Sequence, residues 1–381
     1  MNIVADQDMP GLELFTRLGH LTRLPGRAIC AADLAGADIL LVRSITRVDQ
    51  DLLADSQVRF VGSATIGTDH LDLPWLAGQG IRVAHAPGCN AVAVAEYVLQ
   101  LALSWLVETD REPADCRVGV LGLGNVGARV SGLLAALGFD VLGCDPPARA
   151  SGRTFPTPMG SLDEILACDL ISLHVPLIRE GRWPTWHLLD AERLAGLGEG
   201  QLLINTCRGP VIDNSALLQH LADTAEPGRR GAPEAMKVAL DVWENEPDID
   251  RRLFERVWRG TPHIAGHSRE GKMRGTWMIY RECCDWLDRP AQPMPQLAPE
   301  RQVTEALNDW RDLLRLLVTA CPLVEDHRLL GRVLGEKGPG AGFDHLRRDY
   351  RERHELAGMQ ALGPVAEDLK PALVLLGVRL P

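Results

Sequence analysis

The stretch VGVLGLGNVG, residues 118–127, places Gly122, Gly124 and Gly127 in the spacing G-x-G-x-x-G. The apolar run VGVLGL is typical of a strand, and the following NVGARVSGLLAALG is typical of a helix. In that context the first glycine permits a tight turn, the second admits a pyrophosphate close to the backbone, and the third lets helix and strand pack closely. The stretch therefore predicts a dinucleotide site, and the alternative is a structural glycine-rich turn.

An acidic residue supports the nucleotide interpretation. Asp145 ends the next apolar run, FDVLGCD, 18 residues after Gly127. A carboxylate at this place accepts hydrogen bonds from a ribose diol and repels a 2′-phosphate. The sequence therefore predicts NAD rather than NADP as the cofactor.

Short apolar segments alternate with helical patterns on both sides of the glycines. The segments that predict buried strands are ADILLVR (37–43), VRFVGSA (58–64), IRVAHA (81–86), FDVLGCD (139–145), CDLISLHVP (168–176), GQLLINTC (200–207) and KVALDVW (237–243). Between them lie helical patterns such as 48–55 and 73–80, and a long apolar helix is predicted at 90–108. This alternation indicates parallel strands with crossover helices.

We expect an α/β fold with two Rossmann-like, doubly wound parallel-sheet domains, the nucleotide domain being inserted in the substrate domain. The expected boundaries are 1–90 and 256–286 for the substrate-binding domain, 91–255 for the NAD-binding domain, and 287–381 for a C-terminal α+β domain. The segment 225–235 is expected to be a surface loop, and 289–300 a linker. Beyond the linker, VTEALNDWRDLLRLLV and FDHLRRDYRERHEL predict amphipathic helices.

Composition narrows the functional class. The formal net charge is −11 and no basic block occurs, which argues against a nucleic-acid partner. No apolar run suggests a membrane span, and the first residues lack the regions of a signal peptide. The nine cysteines are scattered, with no CxxC pair. We expect a reduced, cytoplasmic protein that holds an anionic substrate with a few local arginines.

Three later features favour one chemistry. Arg208 follows a predicted strand in INTCRGPVID, Glu246 follows another in ALDVWENEP, and His263 lies in TPHIAGHS. Each alone has an ordinary structural explanation. Together they could oxidise a 2-hydroxy acid: His263 as base, Glu246 orienting its ring, and Arg208 gripping the substrate carboxylate with two parallel hydrogen bonds.

This Arg–Glu–His order resembles the D-isomer-specific 2-hydroxy acid dehydrogenase family, from about Ala37 to about Arg281. A narrower resemblance is carried by RSITRVD, FVGSATIGTDHLD, APGCNAVAVAEYV, CDPP, INTCRGPVIDNSALL and HIAGHSREGKMRGT. It is to the branch that oxidises 4-phospho-D-erythronate in vitamin B6 synthesis, and the tail FDHLRRDYRERHEL resembles that branch's dimerisation domain. The resemblance therefore implies a homodimer.

The resemblance also implies site residues. Catalysis falls to Arg208, Glu246 and His263, and substrate contacts to Ser44, Thr65 and His267. The residues expected to contact NAD are Gly122, Gly124, Asn125, Val126, Gly127, Asp145, Val175, Thr206, Cys207, Asp241 and Gly266. Two positions depart from the family pattern, since Val175 stands where threonine is usual and His267 stands where a substrate-contacting tyrosine is usual.

Some candidates remain open or are set aside. Arg43 ends a predicted strand beside Ser44 and could bind an anionic substrate, the alternative being a salt bridge. The acidic and histidine residues 68–72 match no zinc spacing, so no metal is expected. The alternatives for the whole protein are another D-2-hydroxy acid dehydrogenase, such as one for 3-phosphoglycerate, and an NAD-sensing binding protein. The intact set of Arg208, Glu246 and His263 favours catalysis.

Overall fold

The structure is a computed structural model that describes residues 1–224, 236–295, 301–336 and 339–381. The loop expected at 225–235 and the last five residues of the expected linker lie outside the described residues. Within the described residues the chain forms two compact units, 1–91 with 267–298, and 92–266 with 299–381. We call them unit 1 and unit 2.

The strands, in chain order, are β1 (Asn2–Asp6), β2 (His20–Leu24), β3 (Ile39–Val42), β4 (Phe60–Ser63), β5 (Arg82–His85), β6 (Arg117–Leu121), β7 (Asp140–Cys144), β8 (Leu170–Leu173), β9 (Leu202–Asn205), β10 (Lys237–Leu240), β11 (Arg259–Gly260), β12 (Gln302–Val303) and β13 (Gln360–Ala361).

The helices are α1 (Ala31–Leu34), α2 (Gln50–Leu53), α3 (Leu73–Gly78), α4 (Ala91–Thr109), α5 (Gly127–Ala136), α6 (Pro146–Ala150), α7 (Leu162–Leu166), α8 (Ala191–Ala195), α9 (Asn214–Asp223), α10 (Arg251–Phe254), α11 (Arg269–Trp286), α12 (Trp310–Ala320), α13 (Leu323–Glu336), α14 (Pro339–Arg348) and α15 (Lys370–Leu375). Single turns of 3₁₀ helix lie at Gly26–Ala28, Pro113–Asp115 and Gly209–Val211, and a longer 3₁₀ helix at Leu12–Arg17.

Unit 1 is built on a five-stranded parallel sheet in the order β2-β1-β3-β4-β5. β3 and β4 are buried along their whole length, because their apolar side chains are covered on both faces. One face packs against α11 and the 3₁₀ helix at 12–17, and the other packs against α1, α2 and α3. This is the doubly wound arrangement that alternating apolar and helical segments predict.

Unit 2 contains a six-stranded parallel sheet in the order β11-β10-β9-β8-β6-β7. The chain runs from β6 outward to β7 and then returns to β8 on the other side of β6. This reversal is the topological switch point, where ligands bind at the carboxyl ends of the strands. Both faces are covered, one by α4, α5, α12 and α15, the other by α7, α8, α9, α10 and α13.

The structure confirms the expected fold class. It also contains a small parallel sheet of β12 and β13 in the C-terminal region. Residues 256–266 and 299–381 group with the six-stranded sheet in unit 2, whereas the sequence assigned them to the substrate-binding and C-terminal domains. The functional division into three domains stays a prediction.

Helix α4 corrects one expectation about composition. By length and apolar content its 19 residues could cross a membrane, although the sequence suggested no such run. Of the most apolar 18-residue stretch of this helix, 78% is buried inside the protein, and Tyr97, Leu103 and Trp105 are fully enclosed. The helix is long and largely apolar because it forms part of the core of unit 2.

Candidate active site

Three adjacent strands of unit 2 carry the predicted catalytic residues. Arg208 follows β9, Glu246 follows β10, and His263 follows β11. β10 pairs with both neighbours in parallel register, with Leu240 opposite Asn205 and Gly260. The three segments therefore leave the sheet at the same edge. The sequence predicted the strands before Arg208 and Glu246, whereas β11 before His263 was not predicted.

His263 and Glu246 form a hydrogen-bonded pair. Nδ1 of the imidazole lies 2.7 Å from Oε2 of the carboxylate, and Oε1 accepts a hydrogen bond from the Trp243 N–H at 2.8 Å. Burial raises the pKa of Glu246, but the charge and hydrogen bond of His263 and the Trp243 N–H outweigh it, so the pKa lies below its usual 4.5. An ionised carboxylate on Nδ1 leaves Nε2 as the nitrogen that can take a proton.

The backbone at His263 is unusual. Its φ is 56°, and Asn245, beside Glu246, has a φ of 60°. Left-handed backbone is unfavourable for a side chain with a Cβ, by about 1–3 kcal/mol, and it persists only where the surrounding structure imposes it. The pair is therefore presented by two segments with constrained turns.

Asp241 supplies part of that constraint. Its buried carboxylate accepts hydrogen bonds from the Thr261 hydroxyl (2.7 Å), the Ile264 N–H (2.7 Å) and the Ala265 N–H (3.0 Å). Burial raises the pKa of Asp241, while His263 and these donors lower it. The sequence predicted a contact between Asp241 and NAD. In the structure the side chain holds the segment that carries His263, and the NAD contact stays a prediction.

The Arg208 loop is fixed by its own neighbours. The buried Asn205 side chain donates to the Arg208 carbonyl (3.0 Å) and accepts from the Cys207 N–H (3.1 Å). A Cβ at Gly209 would lie 1.9 Å from the Trp243 carbonyl oxygen, so only glycine allows this loop to pack on the Glu246 loop. Nη1 of Arg208 donates to the Cys207 carbonyl at 2.8 Å, which holds the side chain against its own turn.

The glycine motif separates into two structural positions and one open position. Gly122 has a φ of 87°, and a Cβ there would lie 2.6 Å from the His174 carbonyl oxygen. A Cβ at Gly127 would lie 1.8 Å from the Gly122 carbonyl oxygen. By contrast, a Cβ at Gly124 would meet no protein atom within 4 Å. The space above Gly124 is what a bound pyrophosphate requires.

The surroundings of the motif also fit a dinucleotide. Val126 is the N-cap of α5, and among the described residues no side chain caps that end. Its N–H groups therefore remain available to phosphates. Asp145 is fixed by the Leu123 N–H (2.8 Å) and the Ala148 N–H (3.0 Å), which aligns its carboxylate with the glycine loop. Asn125 is exposed on the same loop.

The other predicted cofactor residues lie at the ends of β8 and β9 and just beyond β11. Val175 lies beside Gly122, since its Cγ1 would be 3.0 Å from a Cβ placed there. The Thr206 hydroxyl is buried and has no hydrogen-bond partner among the described residues, as expected of a group that awaits a ligand. Burial raises the pKa of the Cys207 thiol to about 11, so it is not a nucleophile at neutral pH. Gly266 lies three residues after His263, at the end of the first stretch of unit 2.

Residues expected to contact substrate lie in unit 1. Ser44 follows β3, and Thr65 follows the adjacent β4, where its hydroxyl lies 2.8 Å from Ser63 Oγ and donates to the Gly67 carbonyl. His267 lies two residues before α11, whose N-cap is Ser268. Ser44 and Thr65 lie just after the strands that the sequence predicts, whereas no helix was predicted after His267. The roles of all three residues stay predictions.

Arg43 forms the salt bridges that were the alternative to substrate binding. Nε lies 2.7 Å from Oδ2 of the buried Asp6, and Nη2 lies 2.7 Å from Oδ2 of Asp8. The sequence argument missed this pairing because β1, which ends at Asp6, was not anticipated. A guanidinium held by two carboxylates is poorly placed to neutralise a phosphate, so the structure weakens the case for Arg43 as a substrate ligand.

Sequence reasoning also missed a cluster beside the Glu246 loop. His187, Asp213 and Glu244 bring possible metal-ligand atoms within 4.8 Å of one another, although no metal was expected. The three groups already interact, since His187 Nε2 lies 2.8 Å from Glu244 and Nδ1 lies 3.5 Å from Asp213. Three widely separated segments contribute, so no local spacing in the sequence announces the cluster.

Comparison with known proteins gives the family. Residues 100–265 match the sequence model of the D-isomer specific 2-hydroxyacid dehydrogenase, NAD binding domain. The chain is 43% identical over 370 residues to the erythronate-4-phosphate dehydrogenase of Marinobacter nauticus, a match that covers 94% of both chains. The chain belongs to the erythronate-4-phosphate dehydrogenase family. Unit 2 therefore contains an NAD-binding domain of this family.

Further relatives agree over the full length of the chain. The erythronate-4-phosphate dehydrogenase of Pseudomonas entomophila is 46% identical, covering 94% of this chain and 93% of its own. The protein of the same name from Cellvibrio japonicus is 41% identical, and the match covers both chains completely. The similarity to the erythronate-4-phosphate dehydrogenases thus includes the C-terminal region.

Solved structures share the fold. D-lactate dehydrogenase from Aquifex aeolicus, in complex with NAD and lactic acid, superposes with a TM-score of 0.59 at 24% identity. That match covers 76% of this chain and 94% of the other. NAD-dependent formate dehydrogenase from Staphylococcus aureus, in complex with NAD, gives a TM-score of 0.60 at 20% identity, covering 78% and 99%.

Proposed function

We propose that this chain catalyses the NAD-dependent oxidation of 4-phospho-D-erythronate to (R)-3-hydroxy-2-oxo-4-phosphooxybutanoate, a step in pyridoxal 5′-phosphate (vitamin B6) biosynthesis. The names of the full-length relatives support the substrate. The contact of 2.7 Å between His263 and Glu246, at the edge of the sheet that carries the glycine motif, supports the reaction class.

Residues of unit 2 remove the proton of the substrate hydroxyl. His263 Nε2 takes the proton of the C2 hydroxyl while the C2 hydrogen leaves with its electron pair as hydride, so that the C–O bond becomes a carbonyl. The Glu246 carboxylate stabilises the imidazolium that results, because an opposite charge at hydrogen-bond distance favours the protonated ring. Bound NAD supplies the acceptor for the hydride.

Other residues hold the reactants. Arg208 binds the C1 carboxylate beside the reacting carbon, where its planar fork can form two parallel hydrogen bonds. The glycine loop with Asn125 and Val126, the Asp145 carboxylate, Val175, Thr206, Cys207, Asp241 and Gly266 would hold NAD. Ser44, Thr65 and His267 would contact substrate, and an imidazole at 267 could hydrogen bond to the phosphate or a hydroxyl.

The experiment is an assay of NADH formation with purified protein, using 4-phospho-D-erythronate, 3-phospho-D-glycerate and D-lactate in parallel. A second series adds a 2-oxo acid acceptor, which reveals turnover if NADH stays bound. Selective oxidation of 4-phospho-D-erythronate is the expected result. Preference for another acid would keep the chemistry but change the substrate, and NAD binding without turnover on any acid would favour the NAD-sensing alternative.

We also propose that the enzyme is a cytoplasmic homodimer whose residues 287–381 form the dimerisation domain. The resemblance of the C-terminal tail supports the dimer. All nine cysteines lie within the described residues and are free thiols, which suits a reducing compartment. Light scattering coupled to size exclusion tests the dimer: a mass near twice 41.7 kDa is expected, and a mass of one chain would contradict it.

A further inference from the structure

A charged segment of the C-terminal region is buried in unit 2. Arg353 is 2% exposed and Glu355 is 0% exposed, although both lie in a run of charged residues. The segment docks on α4, where the Leu356 N–H donates to Oε1 of the buried Glu96 at 2.6 Å. Oε2 of Glu96 lies 3.5 Å from Nη2 of Arg353.

The Arg353 guanidinium binds two backbone carbonyls that are far apart in sequence. Nη1 donates to the Ala265 carbonyl at 3.1 Å, and Nη2 donates to the Ala93 carbonyl at 2.8 Å. The chain passes from unit 1 to unit 2 between Ala91 and Val92, and it returns between Gly266 and His267. Arg353 therefore ties together the two chain segments at which these passages occur.

One of these segments carries His263. Asp241 holds the Ile264 and Ala265 N–H groups, whereas Arg353 holds the Ala265 carbonyl from the other side. The peptide groups that follow His263 are thus fixed by a buried anion and a buried cation. This explains how a histidine with a φ of 56° can keep one position.

Burial of these charges is not a simple source of stability. Taking a guanidinium and a carboxylate out of water is costly, and apolar residues of similar size often replace such pairs without loss. Burial raises the pKa of Glu96 to about 8, while Arg353 opposes the rise. What an apolar residue cannot do is donate from one planar group to two carbonyls at once.

We propose that Arg353 is a positioning residue for His263, through which the C-terminal region sets the geometry of the catalytic base. The proposal rests on the proposed function insofar as His263 acts as the base. It assigns to the C-terminal region a part in catalysis in addition to its proposed part in dimer formation.

The test compares three variants of the full-length protein. Arg353→Met removes both hydrogen bonds, and Arg353→Lys keeps the charge but loses the planar fork. Arg351→Met is the matched control, because Arg351 pairs with Glu325 and Asp326 and, within the part of the chain that the structure describes, forms no hydrogen bond with either chain passage. Thermal melting and NAD titration establish that each variant is folded and binds cofactor before its kinetics are measured.

We expect Arg353→Met and Arg353→Lys to lower kcat by about 10- to 100-fold, the effect of displacing a catalytic group by about 1 Å. The Kd for NAD should change less than about twofold, and Arg351→Met should keep wild-type kcat. A folded Arg353→Met with wild-type kcat would overturn the proposal. If that variant does not fold, wild-type kcat in Arg353→Lys overturns it equally.

A second readout is independent of the substrate. The imidazole resonances of His263, assigned by their loss in His263→Gln, are followed by NMR in wild type and variants. Displaced resonances in Arg353→Lys, with none displaced in Arg351→Met, support the positioning role even if the wild-type enzyme does not oxidise 4-phospho-D-erythronate. Unchanged resonances in Arg353→Lys overturn it, whereas an inactive wild type counts only against the proposed function.

Discussion

Nδ1 of His263 lies 2.7 Å from Oε2 of Glu246, although the two residues are 17 positions apart in sequence. They meet because each follows a strand of the same parallel sheet, β11 and β10, at its carboxyl end. Asp241 and Arg353 fix the histidine segment, and the Trp243 N–H fixes the glutamate. Turnover should therefore depend on each partner in a distinguishable way.

Replacement of His263 by glutamine should remove the base and leave the nucleotide site intact. We expect kcat to fall by about 10²- to 10⁴-fold, the usual contribution of a positioned general base. The Kd for NAD, measured by fluorescence titration, should stay within about twofold of wild type. Turnover close to wild type would remove His263 from the mechanism.

Replacement of Glu246 by glutamine should lower the rate and leave the nucleotide site intact. Although burial raises the pKa of Glu246, the charge and hydrogen bond of His263 and the Trp243 N–H hold it below its usual value, so the carboxylate is ionised throughout the neutral range. A neutral amide lacks the charge that stabilises the imidazolium formed during proton transfer. A hydrogen bond to a charged group is worth about 1.5–3 kcal/mol, so kcat should fall by about 10- to 100-fold while the Kd for NAD changes less than about twofold. Steady-state kinetics measure this, and wild-type kcat in Glu246→Gln would contradict an electrostatic role for Glu246.

Replacement of Arg208 by lysine should weaken substrate binding. Lysine keeps the charge but cannot form the bidentate contact with a carboxylate. A lost charge-assisted hydrogen bond is worth about 1.5–3 kcal/mol, so KM should rise by about 10- to 100-fold. Steady-state kinetics at saturating NAD measure this, and an unchanged KM would argue against carboxylate anchoring.

Two glycine substitutions should separate folding from cofactor binding. Gly127→Ala places a Cβ 1.8 Å from a carbonyl oxygen, so it should destabilise the protein by about 1–3 kcal/mol or more. Gly124→Ala meets no protein atom within 4 Å, so the melting temperature should hardly change. Its NAD affinity should nevertheless fall about tenfold, a loss of about 1.4 kcal/mol. Equal NAD affinity in Gly124→Ala and wild type would exclude close approach of the cofactor at this position.

Replacement of Glu96 by glutamine should change how stability depends on pH. The folded protein holds the Glu96 proton up to about pH 8, whereas an unfolded chain releases it near 4.5. The wild type therefore loses this stabilisation progressively as the pH rises from about 4.5 to about 8. Glu96→Gln has no proton to lose. The melting temperature of Glu96→Gln should therefore rise relative to that of wild type as the pH increases from 5.5 to 8.5. A difference in melting temperature that stays constant over this range would contradict the raised pKa.

Most of the fold follows from local sequence. Apolar runs such as those at 39–42 and 202–205 predicted buried strands, because a parallel strand covered on both faces has few polar positions. β2 was missed, since HLTRL lies at an edge of the sheet, has no fully buried residue and therefore carries no apolar run. β1 was missed because its apolar run, Ile3 to Ala5, has only three residues and is flanked by Asn2 and Asp6.

The site was predictable only in part. Predicted strand ends indicated Arg208 and Glu246, since the carboxyl edge of a parallel sheet gathers the residues that follow each strand. The two-residue strand β11 before His263 was not predicted, so His263 was identified from its motif and from the resemblance. The segment FDHLRRDYRERHEL was predicted to continue as one amphipathic helix, yet α14 ends at Arg348 and Arg353 turns into the interior. A buried arginine and a solvent-exposed arginine are the same residue type in the sequence, so the periodicity of apolar residues cannot distinguish them.

The left-handed backbone of His263 bears on how this sequence can change. Glycine or asparagine would adopt that backbone conformation with less strain than histidine. The residue that gives the most stable protein at position 263 is therefore not the residue that the proposed reaction requires. Selection for thermal stability alone would tend to replace His263 and so remove the catalytic base. An engineer who seeks a more robust enzyme should therefore leave residues 261–265 alone and look for gains elsewhere in the chain.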